Sequence, residues 1–424
     1  MTPQLSFFNA LNHKSINLSA TIIFAEMQFK DVIGQQQVTQ HLVEMVQQNR
    51  LSHALLFLGK EGSGALPLAL AFAQFVVCQP SASPIVEDLF GDMSALEAKP
   101  SFVLPEDLHL QQGFKRAEQM IHPDIHFSYP VISKKAGDKP KSTDFITDWR
   151  EFIKQSPYSN VYDWLQFIGA DNKQGNITAE ECSDIMRQLC LKSFESEYKV
   201  LVLWMPEYLG KEGNKLLKLI EEPPPNTLFI LVAENEEQII QTILSRCQLV
   251  KVPMLDAKEV EEALITRANT NPTTATQIAA ICEGNYREAL QLLQHNEEDW
   301  QSLLKEWLNS TLRGGPVAQV KFTEDIAKLG REKQKQFLRF FSHLIEQSIR
   351  IKVLGTDSFA IADAQKEFAL RLNKIASVSQ QQAIVEELDK AAYYIERNAN
   401  GKMLFQALTI KLFHILKNGV VMAI

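Results

Sequence analysis

The sequence is poor in cysteine, and its cysteines form no pattern. Cys78, Cys182, Cys190, Cys247 and Cys282 are scattered, odd in number and nowhere paired as C-x-x-C. That spacing argues against a disulfide framework or a zinc ribbon and suits a reducing cytoplasm. Long apolar runs are also missing. The longest, Ala65–Cys78, falls short of the roughly 20 residues that a membrane-spanning helix needs. Positive charge is not in excess either: the net charge is −8, so the chain as a whole does not attract nucleic acid. A local basic patch or a DNA-binding partner stays open. Residues 1–26 lack the basic start and small-residue cleavage site of a signal peptide. They read as a disordered extension or the product of an upstream start codon, with a patterned domain from Met27.

What is present is the make-up of a soluble globular protein. Of its 424 residues 45% are hydrophobic and 22% charged, enough chain for two or three domains. "LSHALLFLGKEGSGALPLALAFAQFVVC" (51–78) is a short apolar run, a glycine-rich turn and a helical pattern in Leu68, Phe72, Phe75 and Val76. Strand, loop, helix is the context that a phosphate-cradling loop requires.

A second unit opens at Ile177. Thr178 with Glu181 predicts a helix start. "YKVLVLWM" (198–205) and "TLFILVAE" (227–234) predict buried strands, separated by a helix over 214–222 that Pro223–Pro225 ends. Continuous apolar strands alternating with helices predict a parallel, doubly covered sheet. Residues 80–145 read as a polar insert, with a solvated loop at 133–144. Beyond about residue 253 the strand patterns stop. The expected domains are 27–252 (α/β), 253–298 (helical lid) and 299–424 (helical). Phe337, Phe341, Leu344 and Ser348, and Ile384, Leu388, Ala391 and Ile395, recur at helical spacing in the last.

The loop keeps one of its two jobs. Gly59, Gly62 and Gly64 preserve the backbone geometry that cradles phosphate oxygens. Ala65 and Leu66 stand where Lys and Ser/Thr would neutralise phosphate and ligate Mg²⁺, and Pro67 removes an N–H. Nor does the strand expected to end in a metal-binding acidic pair do so. "KVLVLWMPE" reaches Trp204 and Met205, and Glu207 lies beyond Pro206. With both parts missing, no intrinsic ATPase activity, no cofactor and no metal are expected.

From Met27 onward the chain resembles the AAA+ subunits of the bacterial DNA polymerase III clamp loader. The resemblance rests on "FKDVIGQQQV" (29–38), "RLSHALLFLGKEGSG" (50–64), the long signature "NKLLKLIEEPPPNTLFILVAENEEQIIQTILSRCQLVKVP" (214–253), "EGNYREALQLL" (283–293) and "IERNANGKMLFQAL" (395–408). Within that family the loss of the loop Lys and Ser/Thr resembles the delta-prime type of subunit. The resemblance implies a RecA-like α/β AAA+ domain with a parallel sheet, a small helical lid and an all-α C-terminal collar. It implies a non-hydrolysing stator of a cytoplasmic complex, with gamma/tau and delta subunits as partners. The sliding clamp is a possible partner, and primed DNA is reached mainly through the complex. It also implies that Arg246, flanked by Ser245 and Cys247, serves as an arginine finger on a neighbouring subunit's ATP. The alternative for Arg246 is a pair with a carboxylate at a helix end. The alternatives for the chain are a gamma/tau-like active ATPase and an AAA+ scaffold outside replication.

The sequence departs from the family at the four-cysteine zinc module. Cys78 stands at the first ligand position and no further cysteine precedes Cys182, so no zinc and a remodelled insert are expected. His122 and His126 flank Pro123 and read as core or surface residues. Arg287, at the second-sensor position, reads as lid packing or a salt bridge. Glu234, near the first-sensor position, would repel a phosphate. Cys182, Cys190, Cys247 and Cys282 read as buried packing residues, and Phe337–Phe341 as core or interface.

Overall fold

A computed structural model describes residues 28–80, 102–133, 137–170, 173–294, 297–354, 363–396 and 399–418. The expectations for residues 1–26 and for much of the insert, 81–101, lie outside the described residues. One compact unit ends at Leu290 and a second begins at Gln291.

The first unit is built on a parallel sheet of β1 (Ala54–Leu58), β2 (Ile125–Ser128), β3 (Lys199–Trp204), β4 (Thr227–Ala233) and β5 (Gln248–Lys251). The spatial order is β2-β3-β4-β1-β5, with every pairing parallel. Because successive strand residues face opposite sides, one face offers Leu55, Phe57, Val200, Val202, Leu228, Ile230 and Val232. The other offers Ala54, Leu56, Leu201, Leu203, Phe229 and Leu231. The helix Ala65–Val77 covers the first face so fully that all 13 of its residues are buried. The helix Ala179–Leu189 and the segment Pro206–Glu221 cover the second. Both faces are apolar, which is why β3 and β4 read as continuous hydrophobic runs.

The edge strand β2 comes from the stretch that the sequence presents as a polar insert. Its four residues carry two polar side chains, His126 and Ser128, too short and mixed for a period-2 signal. The following helices Ile146–Gln155 and Val161–Phe167 bring in an aromatic cluster. Trp149 stacks on Tyr129 with centroids 4.1 Å apart and meets Trp164 edge-on at 5.3 Å. Trp164 donates its indole N–H to the Pro130 carbonyl at 2.7 Å. The helix expected over 214–222 is instead a 3-10 segment, Pro206–Leu216, kinked at Gly210, followed by one turn of α-helix, Leu217–Glu221. Thr178 caps as expected, accepting from the Glu181 N–H at 3.1 Å, but the Glu181 carboxylate accepts from the Ser142 N–H instead of completing the box.

Three helices, Ala257–Ala268, Pro272–Ile281 and Tyr286–Gln294, follow β5 and form the lid. The second unit is helical throughout its described residues: Glu297–Leu312, Gly315–Ala327, Arg331–Leu354, Asp363–Ile375, Val378–Glu396 and Gly401–Asn418. Its core centres on Trp307, whose ring lies 5.5–5.8 Å from those of Phe322, Phe337, Phe341 and Phe405. The Trp307 indole donates to Thr409 Oγ1 at 2.9 Å. Phe337 and Phe341, with both periodic sets in the sequence, are buried in this core. The architecture is an α/β domain with a parallel sheet, three short helices that follow it and, in the second unit, an all-α domain among the described residues.

Candidate functional site

The glycine-rich loop leaves the carboxyl end of β1, where parallel α/β sheets place their ligands. Gly59 N–H donates to the Ala233 carbonyl at 3.1 Å, tying the loop to the end of β4. Gly62 and Gly64 hold φ of +75° and +89°, a region that side chains disfavour. A Cβ on Gly62 would lie 1.9 Å from Asn285 Oδ1, so the lid sits directly on the loop.

Little open space remains beside this loop. The cavity lined by Gly59, Glu61, Gly64, Leu66, Tyr158 and Trp204 holds about 30 Å³, room for a water or two and far short of an ordinary ligand pocket. Ala65 and Leu66 are buried with the hydrophobic core and also form part of the cavity wall. Tyr158 packs against Gly64, its ring edge 3.0 Å from where a Cβ would stand, and its hydroxyl accepts from the Ile33 N–H at 2.7 Å. Burial pushes that phenol up to about 12. Gln35 spans loop and lid, donating through Nε2 to the carbonyls of Ser63 at 3.0 Å and Pro253 at 2.7 Å.

The most heavily committed side chain is Arg287, at the start of the lid's last helix and only 4% exposed. Its Nε and Nη2 form a bidentate pair with Asp163 at 2.5 and 2.7 Å. Its Nη1 reaches Glu61 Oε1 at 2.8 Å. Asn160, the cap of helix Val161–Phe167, donates to Glu61 Oε2 at 3.0 Å. The salt-bridge reading of Arg287 therefore fits, with two carboxylates instead of one. Sequence reasoning missed Glu61, Asn160 and Asp163. Two signals were there: an acid inside a phosphate loop, and the N-x-x-D spacing of a capping box in "NVYD" (160–163).

At the end of β3 the side chains face packing instead of solvent. Trp204 is buried and joins the aromatic cluster 5.2 Å from Trp149. Met205 adopts φ +58° while its N–H donates to the Val232 carbonyl at 2.8 Å. Glu207 accepts from the N–H groups of Glu234 and Asn235 at 2.7 and 2.9 Å through Oε1. Enclosure raises its carboxyl above the ordinary glutamate range against the pull of those N–H groups. It holds the end of β4 in place.

Arg246 lies in the Ser245–Cys247 turn between the helix Gln241–Leu244 and β5. Its Nη1 donates to the Thr242 carbonyl at 2.7 Å and to Ser245 Oγ at 3.2 Å, and it pairs with Glu221 at the end of the helix Leu217–Glu221. The Arg246 side chain is 34% exposed and that of Glu221 43%. The carboxylate pair at a helix end, the alternative reading of Arg246, is thus present, and the Arg246 side chain stays partly exposed. The neighbouring Cys247 is half-buried, its thiol pushed up to about 11 by desolvation.

With this geometry in hand, residues 34–87 and 111–256 match the family described as DNA polymerase III, delta subunit. The matched stretches hold the glycine loop, the 214–253 signature and the Arg246 turn. Among curated proteins, the DNA polymerase III subunit delta' of Bacillus subtilis is 24% identical over 264 residues, 62% of this chain and 60% of that one. These matches support the DNA polymerase III clamp-loader family for this chain. The subunit tau of Bacillus subtilis is 23% identical over 335 residues, 77% of this chain and 47% of that one. The subunit gamma of Buchnera aphidicola subsp. Schizaphis graminum is 31% identical over 137 residues, 31% of this chain and 38% of that one. The chain thus spans about 60% or less of the length of these clamp-loader relatives.

Where the chain departs from the zinc-module pattern, it carries a cluster of charged and polar side chains. His122 is buried, with Nε2 2.9 Å from Glu195, which also pairs with Arg116. Asp124 accepts from the N–H groups of Phe194, Glu195 and Ser196 at 2.6–2.9 Å. Desolvation and the Glu195 charge push the Cys78 thiol up to about 12. Among the described residues no group of three or more His, Cys, Asp or Glu is placed to hold a metal, and no helix is long and apolar enough to cross a membrane. Cys190 corrects one expectation: Cys182 and Cys282 are buried and Cys247 half-buried, but Cys190 is exposed. It follows the last turn of helix Ala179–Leu189, where the helical spacing that buries Cys182 no longer constrains it.

Proposed function

We propose that the chain is a non-hydrolysing, delta-prime-type subunit of the bacterial DNA polymerase III clamp loader. In this reading it works in the cytoplasm beside gamma/tau and delta subunits. It supports the loading of the sliding clamp onto primed DNA during replication. The observation that carries the reading is the apolar, closed loop: buried Ala65 and Leu66 line it where Lys and Ser/Thr would stand, and Arg287 is bound to Glu61 and Asp163. Phosphoryl transfer needs cations and a metal against the developing charge, and this loop has Ala65 and Leu66 where the Lys and the metal-ligating hydroxyl would stand.

Its contribution to hydrolysis is then made in trans. Arg246 is an accessible guanidinium held by one exposed carboxylate and two neutral acceptors. A planar, delocalised cation of this kind stabilises charge on a γ-phosphate across an interface.

The test is clamp- and DNA-stimulated ATP hydrolysis by a loader reconstituted with the wild-type chain or with Arg246→Ala, after both are shown to assemble. A several-fold drop in rate with the ring intact is expected. An unchanged rate would reduce the chain to a structural stator. Stoichiometric ATP binding by the isolated chain would instead favour the gamma/tau-like reading.

A further inference from the structure

We propose that Glu61 is a built-in stand-in for a nucleotide phosphate, closing the lid through Arg287 with no nucleotide present. The inference deepens the non-hydrolysing reading and rests on it. Glu61 occupies the middle of a loop whose backbone, followed by a helix N-terminus, is an anion cradle. A carboxylate and a phosphate present similar oxygen acceptors to an arginine fork.

Three side chains converge on that one carboxylate. From the lid come Arg287 Nη1 at 2.8 Å and Asn285 Nδ2 at 3.5 Å. From the cap of helix Val161–Phe167 comes Asn160 Nδ2 at 3.0 Å. Asp163, one turn into that helix, takes the other edge of the Arg287 guanidinium. The lid helix thus meets the loop and the α/β domain through one nearly buried cation. The side chains of Glu61 and Asp163 are only 13% and 20% exposed, so water competes weakly for these bonds.

Two further contacts fix the same closed arrangement. Asn285 Oδ1 would clash with any side chain at position 62, and the Tyr286 N–H donates to the Gly62 carbonyl at 3.3 Å. In a nucleotide-dependent subunit, lid closure would follow the ligand. Here the closing charge is covalently part of the loop, so closure is constant.

The experiment is amide hydrogen exchange on the full chain, wild type and Glu61→Ala, with and without Mg-ATP and with and without millimolar pyrophosphate. The wild-type lid, residues 257–290, should be equally protected with and without Mg-ATP. Glu61→Ala should exchange about tenfold faster there while β3 and β4 stay protected. Pyrophosphate should slow the variant's lid exchange again. If Glu61→Ala does not fold, Glu61→Gln, which keeps the shape and removes the charge, should show the same changes at smaller amplitude. Unchanged lid exchange in both variants would overturn the proposal, as would a wild-type lid that tightens with Mg-ATP. Faster exchange that pyrophosphate leaves untouched would make Glu61 an ordinary structural pair and overturn it too. These readouts come from the isolated chain and the Arg246 test from the assembled ring, so either inference can fail alone.

Discussion

Arg287 and Arg246 are the same residue type in one compact unit, and the structure treats them oppositely. Arg287 is 4% exposed and bound by two carboxylates. Arg246 is 34% exposed and bound by one, itself 43% exposed. Desolvation separates the two. A guanidinium stripped of water must be matched by charges fixed in the fold, and those charges then have no other use. A guanidinium at the surface keeps its hydration and its choice of partner. The first arginine holds the lid. The second keeps a solvent-facing side. Under the proposed function that difference lets one chain close its own loop and still offer a cation to another site.

The largest expected effect breaks the buried side of the comparison. Arg287→Ala leaves Glu61 and Asp163 facing one another with the shared cation gone. Removing one partner from a buried pair typically costs about 3–5 kcal/mol. Urea denaturation of the variant should show a loss of that size, assigned to the α/β-lid unit by following amide-exchange protection of β3 and β4. A loss under about 1 kcal/mol would mean that water already screens the clasp.

A smaller effect concerns the acid beyond β3. Burial raises Glu207 above its ordinary value, so the unfolded chain gives up this proton at lower pH than the folded chain does. Its ionisation thus costs stability as pH rises through and above the ordinary glutamate value. Its Oε2 is buried without a hydrogen-bond partner among the described residues, so the charge is poorly compensated. Glu207→Gln keeps an oxygen to accept from the Glu234 and Asn235 N–H groups. The variant should match the wild type near pH 4 and exceed its stability by about 1 kcal/mol at pH 7, as thermal melts across that range would show. A variant less stable than wild type at pH 7 would mean that the carboxylate's two backbone bonds outweigh its desolvation.

How much of this was legible in the sequence follows the range of the interaction concerned. β1, β3 and β4 were readable because a doubly covered strand must be apolar at every position, and the collar helices because Phe337, Phe341, Ile384 and Leu388 repeat with the turn of a helix. The loop's departure from the phosphate-binding pattern was readable because Ala65 and Leu66 directly follow its glycines. β2 was not, since an edge strand of four mixed residues carries almost no period. Nor was the clasp: Glu61, Asp163 and Arg287 are separated by over a hundred residues at each step, and each alone is an ordinary surface-type charge. Only the closed lid makes them one site. The exposure of Cys190 was missed for a related reason, since helical spacing says nothing about the residue after the helix ends.

The smallest expected effect sharpens the comparison most. An exposed ion pair typically contributes about 0–1 kcal/mol, because its charges trade similar interactions with water and salt screens what is left. The Arg246–Glu221 pair is of that kind, and its remaining bonds go to a carbonyl and a hydroxyl at the turn's own surface. Arg246→Ala should therefore change the unfolding free energy of the isolated chain by no more than about 0.5 kcal/mol, the range of ordinary surface substitutions. Measured beside Arg287→Ala under the same conditions, it gives a difference of several kcal/mol between two arginines. If Arg246→Ala proved as costly as Arg287→Ala, the guanidinium would be part of the domain's own framework. The Glu221 pair would then explain it fully, with nothing left to offer a neighbouring subunit.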